Sequence, residues 1–342
     1  MKKLLSLTLC LCLLLSGCGS FVPQAEEKQY NATFLNLFDT LTTIVGRGAS
    51  EEVFREKAQQ IHDKLLVYHE LFDIYHEYPN KTNLYTLNKE GTKGPVTVDF
   101  RIIELLLECK ELYTATKGRV NVAMGSVLSL WHEARSAGRD DPSTATLPHD
   151  QALKEAALHC NMEDVIIDEG TSTVSFADPL LQLDVGAIAK GWAVQKVAEE
   201  TEPGFLISVG GNVCATGPKD SDGTPWVIGI QDPNGGESYL HTLYLKNGSV
   251  VTSGDYQRAY MVDGKLYHHI IDPDTLYPSA YWRSVSIVCQ DSGLADALST
   301  ALFLLPLEEG QALLKTYGAE ALWVNAQGEK FYSPGFRALI RT

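Results

Sequence analysis

Apolar and polar positions divide the chain into a first part with helices and a second part with many short strands. In the first part, β-branched and apolar residues over 31–46 surround a polar Asp39-Thr40 pair, which predicts two strands or one bulged strand. Ser50 then precedes two acidic residues and a helical apolar pattern, as is typical of an N-cap. The elements expected in this part are helices at 51–75, 98–116 and 150–159, with a loop at 77–95 and irregular structure at 132–150.

From residue 164 onward, short apolar and β-branched runs dominate the pattern. No βαβ alternation and no internal repeat runs through the chain. We therefore expect an α+β fold with mixed or antiparallel strands and packed helices, rather than a doubly wound sheet. The elements expected in this part are strands at 164–167, 172–176, 180–184, 205–209, 226–231, 240–246, 249–252, 257–262 and 284–289, and helices at about 187–200, 293–304 and 307–317.

The N-terminus has the pattern of a bacterial lipoprotein signal. Two lysines precede an apolar run over 4–15, which is too short to span a bilayer as a helix, and small residues then lead to Cys18. We expect residues 1–18 to be a signal peptide with Cys18 lipidated, 19–30 a polar tether and 31–342 one domain. This predicts a lipid-anchored protein on the extracytoplasmic face of a bacterial cell membrane. An ordinary signal peptide with an incidental cysteine is the alternative.

Composition narrows the possible partners. The chain has 43 acidic and 28 basic residues, a net charge of −15, and no basic stripe, which argues against a nucleic-acid partner. Three of the seven cysteines lie in the leader. The other four are far apart with no C-x-x-C spacing, which argues against a zinc site. We expect them to be buried thiols, although the sequence leaves disulfide pairing open: Cys109, Cys160, Cys214 and Cys289.

The densest group of chemically active residues is the octet 267–274. It holds two imidazoles, two carboxylates and a proline in a segment that otherwise has the character of a strand. Side chains alternate along a strand, so His268 and His269 are expected on opposite faces, and Pro273 ends the strand. The octet predicts a histidine and Asp272 held at a strand end. A buried histidine beside a turn aspartate fits the octet equally well.

Two further segments carry candidate ligand-binding residues. At 183–193 a predicted strand ends at Asp184 and small residues begin a helix near Lys190, and the N-terminus of a helix attracts anions. Asp296 and Thr300 stand one turn apart on another helix, and their oxygens suit a hard cation such as Mg²⁺. The alternative for 183–193 is a tightly packed strand–helix corner. The alternative for the second pair is that Asp296 caps the helix and Thr300 bonds to a backbone carbonyl.

Taken together and in order, these motifs resemble the ApbE-type FAD:protein FMN transferases. The similarity covers nearly the whole mature chain and is most specific in the second half. It implies an ApbE-like fold with a flavin cleft between two lobes. The motifs are Asp-Val-Gly-Ala-Ile-Ala-Lys-Gly from 184, Ser-Val-Gly-Gly-Asn from 208, Thr-Ser-Gly-Asp-Tyr from 252, His-His-Ile-Ile-Asp-Pro from 268 and Asp-Ala-Leu-Ser-Thr-Ala from 296.

The resemblance also implies an activity. Such proteins cleave the pyrophosphate of FAD, attach FMN to a Thr or Ser hydroxyl of a target protein and release AMP, with Mg²⁺ required. The expected partners are FAD and acceptor proteins, in particular membrane redox subunits. Two alternatives remain open from the sequence: a Mg²⁺-dependent FAD pyrophosphatase that gives FMN and AMP, and a non-catalytic FAD-binding lipoprotein.

The roles implied by the resemblance fall on particular positions of this chain. Asn121 stands where the family commonly has Asp, and Arg119 stands where it has a small residue. The implied metal ligands are Asp296, Thr300 and the main-chain carbonyl of Ala187; the implied FAD contacts are Lys190, His268, Phe38, Arg119, Val120 and Asn121; the implied catalytic base is His269, with Asp272 orienting it or supporting the metal.

Overall fold

The computed structural model describes residues 28–236 and 238–341. The predicted signal peptide, its Cys18 and residues 19–27 of the predicted tether lie outside this part. The tether was expected to reach residue 30, but residues 28–30 already belong to the first strand, so its C-terminal boundary is corrected. None of the helices in the described ranges is long and apolar enough to cross a membrane.

Helices and strands alternate irregularly along the described chain. The helices are α1 (Glu51–Phe72), α2 (Leu84–Glu90), α3 (Phe100–Ala115), α4 (Gly125–Asp140), α5 (Asp150–Ala157), α6 (Ala189–Glu199), α7 (Ser292–Phe303) and α8 (Leu307–Tyr317). The strands are β1 (Lys28–Leu37), β2 (Thr40–Gly48), β3 (Val96–Thr97), β4 (Val165–Asp168), β5 (Thr173–Phe176), β6 (Leu206–Val209), β7 (Asn212–Ala215), β8 (Trp226–Gln231), β9 (Tyr239–Leu245), β10 (Gly248–Gly254), β11 (Tyr260–Val262), β12 (Lys265–Tyr267), β13 (Ser284–Cys289), β14 (Glu320–Val324) and β15 (Lys330–Tyr332).

One eight-stranded sheet joins the two parts of the chain. Its order is β1-β2-β6-β7-β10-β13-β14-β15, and each neighbouring pair is antiparallel. Adjacent residues of β10 show how both faces are used, because Val250 packs into one apolar cluster with the β8–β9 ribbon and Val251 into another with α7. The predicted α+β class with antiparallel strands and packed helices is confirmed.

A smaller lobe packs beside this body. Its apolar cluster is formed by α4, α5 and the β11–β12 hairpin around the buried indole of Trp131, which donates a hydrogen bond from Nε1 to the Leu276 carbonyl. Gly138 of α4 lies directly under the ring of Tyr260, where a Cβ would come within 2.8 Å of a ring carbon. The hairpin is therefore fixed against α4. The segment that carries the two histidines begins at the end of this hairpin, so its start is fixed as well.

Several local expectations were wrong for identifiable reasons. Helix α2 lies in the predicted loop, capped by Asn83, whose side chain accepts from the Thr86 N–H. Helix α4 continues to Asp140 through residues that looked irregular, because few of its positions are buried and the apolar repeat is sparse. Residues 180–184 form no strand; the side chain of Asn88 instead pairs with both the N–H and the carbonyl of Leu183. Strands β7, β14 and β15 were not predicted.

The four cysteines of the described chain are free thiols. Cys109 and Cys214 are buried, and Cys160 and Cys289 are half-buried. Burial raises the pKa of each of the four thiols. The expectation of unpaired thiols holds for the described chain, with less burial than expected for Cys160 and Cys289.

Candidate active site

A cleft of about 650 Å³ opens between the main body and the smaller lobe. This volume lies within the usual range for small-molecule sites in proteins. Its walls come from the β1–β2 turn, the end of α1, the first turns of α4 and α6, the ends of β6 and β10, the loop around Arg258, the histidine segment and α7. The lining residues that concern the chemistry are Phe38, Asp39, Tyr75, Arg119, Asn121, His132, Arg135, Asp184, Ala187, Lys190, Arg258, His269, Asp296 and Thr300.

Helices α6 and α7 meet at backbone contact and form the innermost wall. A Cβ at Gly191 would overlap the carbonyl oxygen of Ser292 and lie 2.5 Å from Cβ of Asp296, so this crossing requires glycine. The closeness lets the Gly191 N–H donate to Oδ2 of Asp296 at 2.9 Å. The carboxylate, only 4% exposed, is thus held by the backbone of a neighbouring helix.

The carbonyl of Ala187, just before α6, has no backbone donor. Gly191 is the third residue of α6, so its N–H is one of the amides at the start of a helix that have no carbonyl partner within it. Here it donates to Asp296, and within the described ranges no backbone N–H donates to the Ala187 oxygen. Ala187 and Thr300 both belong to the cleft lining, together with Asp296.

These three oxygens make a donor set of a particular kind. One carboxylate, one hydroxyl and one carbonyl suit a hard cation that keeps some of its waters and takes further oxygens from a ligand. No group of three or more His, Cys, Asp or Glu side chains in the described chain could hold a metal by itself. Asp296 does not cap α7; Asp291 does, accepting at 2.7 Å from the Leu294 N–H. The capping alternative for Asp296 is therefore wrong.

Lys190 supplies a positive charge beside this carboxylate. Its Nζ lies 3.4 Å from Oδ2 of Asp296 and 3.3 Å from the carbonyl oxygen of Gly186, and its side chain is 20% exposed. A cation at the N-terminus of a helix reinforces the attraction of that end for anions. The first turn of α6 can therefore receive a phosphate group next to the oxygen donors.

His269 faces the cleft as a neutral imidazole. Its Nδ1 lies 3.2 Å from the carbonyl oxygen of Gln257. A carbonyl only accepts, so Nδ1 carries the proton and Nε2 keeps a free lone pair. Burial is the main reason that the pKa of His269 is lowered to about 3, and the positive charges of Arg258, Arg135 and Lys190 add to this effect. The neutral imidazole can therefore accept a proton at Nε2.

His268 turns away from the cleft. It is buried, its Nε2 pairs with the carbonyl of Ser279 at 2.8 Å, and its Nδ1 accepts from the Ile270 N–H at 3.2 Å. The ring packs edge-on against Phe303. Because both nitrogens are used inside the protein, the expectation that His268 contacts the nucleotide is corrected. The two histidines do point in opposite directions, but through a turn after β12 rather than by strand alternation.

Asp272 contacts Arg119 and not His269. Its Oδ1 accepts from Nη1 of Arg119 at 3.0 Å and from the Asp274 N–H at 2.8 Å. The expectation that Asp272 orients the imidazole or supports the metal is therefore corrected; its carboxylate holds the guanidinium of Arg119 in the cleft lining.

Of the remaining predicted FAD contacts, Phe38 and Asn121 line the cleft, whereas Val120 lies in the core. Phe38 lies in the β1–β2 turn at φ 51°, its N–H donating to Nδ1 of His69 at 3.2 Å. Asn121 lines the cleft, although its side chain is engaged with the Cys160 carbonyl and the Ala123 N–H. Val120 is 1% exposed and packs in the main core, so the expectation that it contacts the ligand is corrected.

Four side chains in the outer part of the cleft were not predicted as site residues. Tyr75, three residues after α1, stacks on His132 with ring centroids 5.0 Å apart. Arg135 lies one turn beyond His132 on α4, and Arg258 stands in the loop before β11. Of these, only Arg258 lies next to a family motif, two residues after the Thr-Ser-Gly-Asp-Tyr segment.

The fold and the cleft define an α+β protein built to bind an anionic ligand beside oxygen donors and a neutral imidazole. Comparison with known proteins is more specific. The model of the ApbE family matches residues 38–323, and the chain belongs to that family.

Relatives and solved structures agree with this membership. The chain is similar to the FAD:protein FMN transferase of Treponema pallidum, with 34% identity over 91% of this chain and 88% of the relative. It is also similar to one of Klebsiella pneumoniae, with 32% identity over 69% of this chain and 72% of the relative. The ApbE protein of Thermotoga maritima superposes with a TM-score of 0.80 at 29% identity, covering 92% of this chain and all of that one. A flavin transferase ApbE from Vibrio cholerae, at 23% identity and a TM-score of 0.74, shares the fold over 92% and 99% of the two chains.

Proposed function

We propose that this protein transfers FMN from FAD to a Thr or Ser hydroxyl of an acceptor protein and releases AMP. The observation that carries the proposal is one cleft in which the free Nε2 of His269, the amine of Lys190 and three oxygen donors meet, in a chain whose relatives are named for this reaction. Membership of the ApbE family supports it.

The hydroxyl of the acceptor is a poor nucleophile and needs a general base, a role that His269 can fill. Its Nε2 lone pair can take the hydroxyl proton as the oxygen attacks the phosphorus on the FMN side of the pyrophosphate. The bond from phosphorus to the bridging oxygen breaks, and AMP leaves with that oxygen. Since Nδ1 is held by Gln257, the ring keeps its tautomer and its aim.

Lys190 and the first turn of α6 would stabilise the charge of the pyrophosphate. Phosphoryl transfer depends mainly on positioning and on electrostatic stabilisation of oxygens that carry spread negative charge. An ammonium at the N-terminus of a helix is placed for this role. Its ion pair with Asp296 keeps the amine next to the metal-type donors.

The cation in this proposal is Mg²⁺, held by Asp296, Thr300 and the carbonyl of Ala187. The donors fit, because all three are oxygens and no backbone N–H of the described chain donates to the Ala187 carbonyl. When bound, Mg²⁺ would offset the negative charge of the pyrophosphate. Phe38 and Arg119 would contact the flavin half, with Asp272 positioning Arg119.

The proposed location is the extracytoplasmic face of a cell membrane, with Cys18 as the lipid anchor. The support is the signal pattern of the sequence. Strand β1 begins ten residues after Cys18, a length of chain that spans at most about 35 Å. A domain on such a short tether stays near the membrane, which favours redox subunits of that membrane as acceptors.

Incubation with FAD, Mg²⁺ and an acceptor domain, followed by intact-mass spectrometry and nucleotide chromatography, tests the activity. We expect one FMN adduct per acceptor and an equal amount of AMP, with no adduct when the acceptor hydroxyl is replaced by alanine. Free FMN with AMP and an unmodified acceptor would identify a pyrophosphatase instead. FAD that stays bound and intact after Mg²⁺ is added would identify a binding protein.

A further inference from the structure

Two arginines of the cleft lack carboxylate partners. Among the described residues, Arg135 has its closest polar contact with Nδ1 of His132 at 3.0 Å, and Arg258 reaches only the carbonyl of Phe38 at 3.5 Å. By contrast, the guanidinium of Arg119 is paired with Asp272 and Asp274, and that of Arg283 with Asp255. In a chain with a net charge of −15, two unpaired guanidiniums in one cleft need an explanation.

The two guanidiniums act on each other and on the proposed base. Burial and the charge of Arg258 both lower the pKa of Arg135. Both arginines, with Lys190, also lower the pKa of His269. Asp296 offsets the charge of Lys190, and Asp184 raises the pKa of Arg135 from a distance. No described carboxylate forms an ion pair with either arginine, so an anionic ligand would relieve the repulsion between these like charges. Guanidinium groups are suited to phosphate because they offer several donors in one plane.

The neighbouring side chains favour a nucleotide over a bare carboxylate. Arg135 touches His132, and His132 stacks on Tyr75, which is 47% exposed. Flat rings next to guanidinium groups suit a ligand with both a planar base and phosphates. An acidic side chain of a protein would need the arginines but not the rings.

We propose that Arg135 and Arg258 form a second anion subsite of the cleft, which binds the diphosphate of FAD together with Lys190. The inference rests on the proposed use of FAD and adds residues that the family motifs did not point to. Arg258 directly follows Gln257, whose carbonyl holds His269, and its own backbone is left-handed at φ 41°. Diphosphate binding at Arg258 therefore acts on the loop that aims the base.

Titration calorimetry with ADP and with adenosine, both in EDTA, isolates the contribution of the phosphates. We expect Arg135→Met and Arg258→Met each to weaken ADP binding by about tenfold or more, the usual loss for a hydrogen bond to a charged group. Adenosine should bind all three proteins within about twofold. Arg135→Lys should recover part of the ADP affinity. Arg139→Met, four residues further along α4 and outside the cleft lining, should change neither affinity.

Several results would overturn the subsite. One is unchanged ADP affinity in both variants with a raised KM for the acceptor protein, which would assign the arginines to an acidic side chain of the acceptor. Equal losses for ADP and adenosine, or a lowered Tm, would show that the arginines serve packing. No ADP binding by the wild-type protein would also refute it. Failure of the proposed transfer gives a different result. If ADP binding depends on the arginines but the wild-type protein modifies no acceptor, the transfer is refuted and the subsite is not.

Discussion

The two walls of the cleft are held in place by different means. The wall formed by α6 and α7 depends on backbone contact at Gly191, which fixes the carboxylate of Asp296. The facing wall is made of α4 and of turns and loops, with Phe38 and Arg258 in left-handed backbone conformations. The contrast indicates a division of labour in which packed helices position the charge-stabilising groups and loops provide ligand recognition.

The largest effect should come from the carboxylate of the packed wall. Replacing Asp296 by Asn removes its charge but keeps an oxygen that can accept from Gly191. We expect FMN transfer to fall by at least about 10³-fold, because the proposed cation site would lose the one carboxylate among its three protein donors. Transfer assays with FAD and Mg²⁺, together with Tm, measure this. Asp291→Asn, on the same helix, keeps a good N-cap and should keep full activity. Equal activity in the two variants would contradict the proposed metal site.

The adjacent histidines should separate catalysis from packing. We expect His269→Gln to lower kcat by about 10²- to 10³-fold, the usual range for loss of a general base, with little change in stability. His268→Leu should leave kcat within a few-fold but destabilise the fold by about 1–3 kcal/mol, because the Ser279 carbonyl and the Ile270 N–H lose their partner. Kinetics and urea unfolding of both variants would show it. The reverse pattern would mean that the base is His268.

The close crossing of α6 and α7 can be tested by adding one methyl group at Gly191. Gly191→Ala puts a Cβ against the Ser292 carbonyl and Asp296, which we expect to cost about 1–3 kcal/mol and to lower transfer by moving the carboxylate. Gly310→Ala in α8 is the matched control, since its nearest neighbours would be 3.6 Å away. It should be neutral or stabilising by about 0.4–1 kcal/mol. Unfolding and activity measured on both proteins would decide; an active, fully stable Gly191→Ala protein is inconsistent with the close crossing.

The smallest effect is a dependence of stability on pH. The pKa of His269 is about 3 in the folded protein, against 6.5 for an ordinary histidine. As pH falls below 6.5 the unfolded chain takes up a proton that the folded chain does not, so stability is lost from there down towards pH 3. This component has a slope of at most about 1.4 kcal/mol per pH unit. His269→Gln should remove it, whereas His149→Gln, at an exposed site, should not. Urea unfolding between pH 7 and 4.5 measures the slopes, and identical slopes in wild type and His269→Gln would show that the imidazole is not buried neutral.

Local patterns predicted the elements whose own residues make them. Ser50 caps α1 as expected, and α8 begins and ends where its apolar spacing placed it. The i, i+4 spacing of Asp296 and Thr300 correctly put both on the cleft side of one helix. Elements that owe their form to distant partners were missed. The N–H and carbonyl of Leu183 are satisfied by Asn88, nearly a hundred residues away, and α4 presents too few buried positions to show a period.

By itself, the sequence determined the α+β class, the helix that carries Asp296 and Thr300, and the family to which the chain is similar, because these depend on residue order and short-range spacing. Only the tertiary structure decided which histidine reaches the cleft, that Asp272 holds Arg119, and that Arg135 and Arg258 line one cleft without an ion-pair partner among the described residues. These contacts join residues up to 220 positions apart. Such distances along the chain are closed by packing, which no local pattern records.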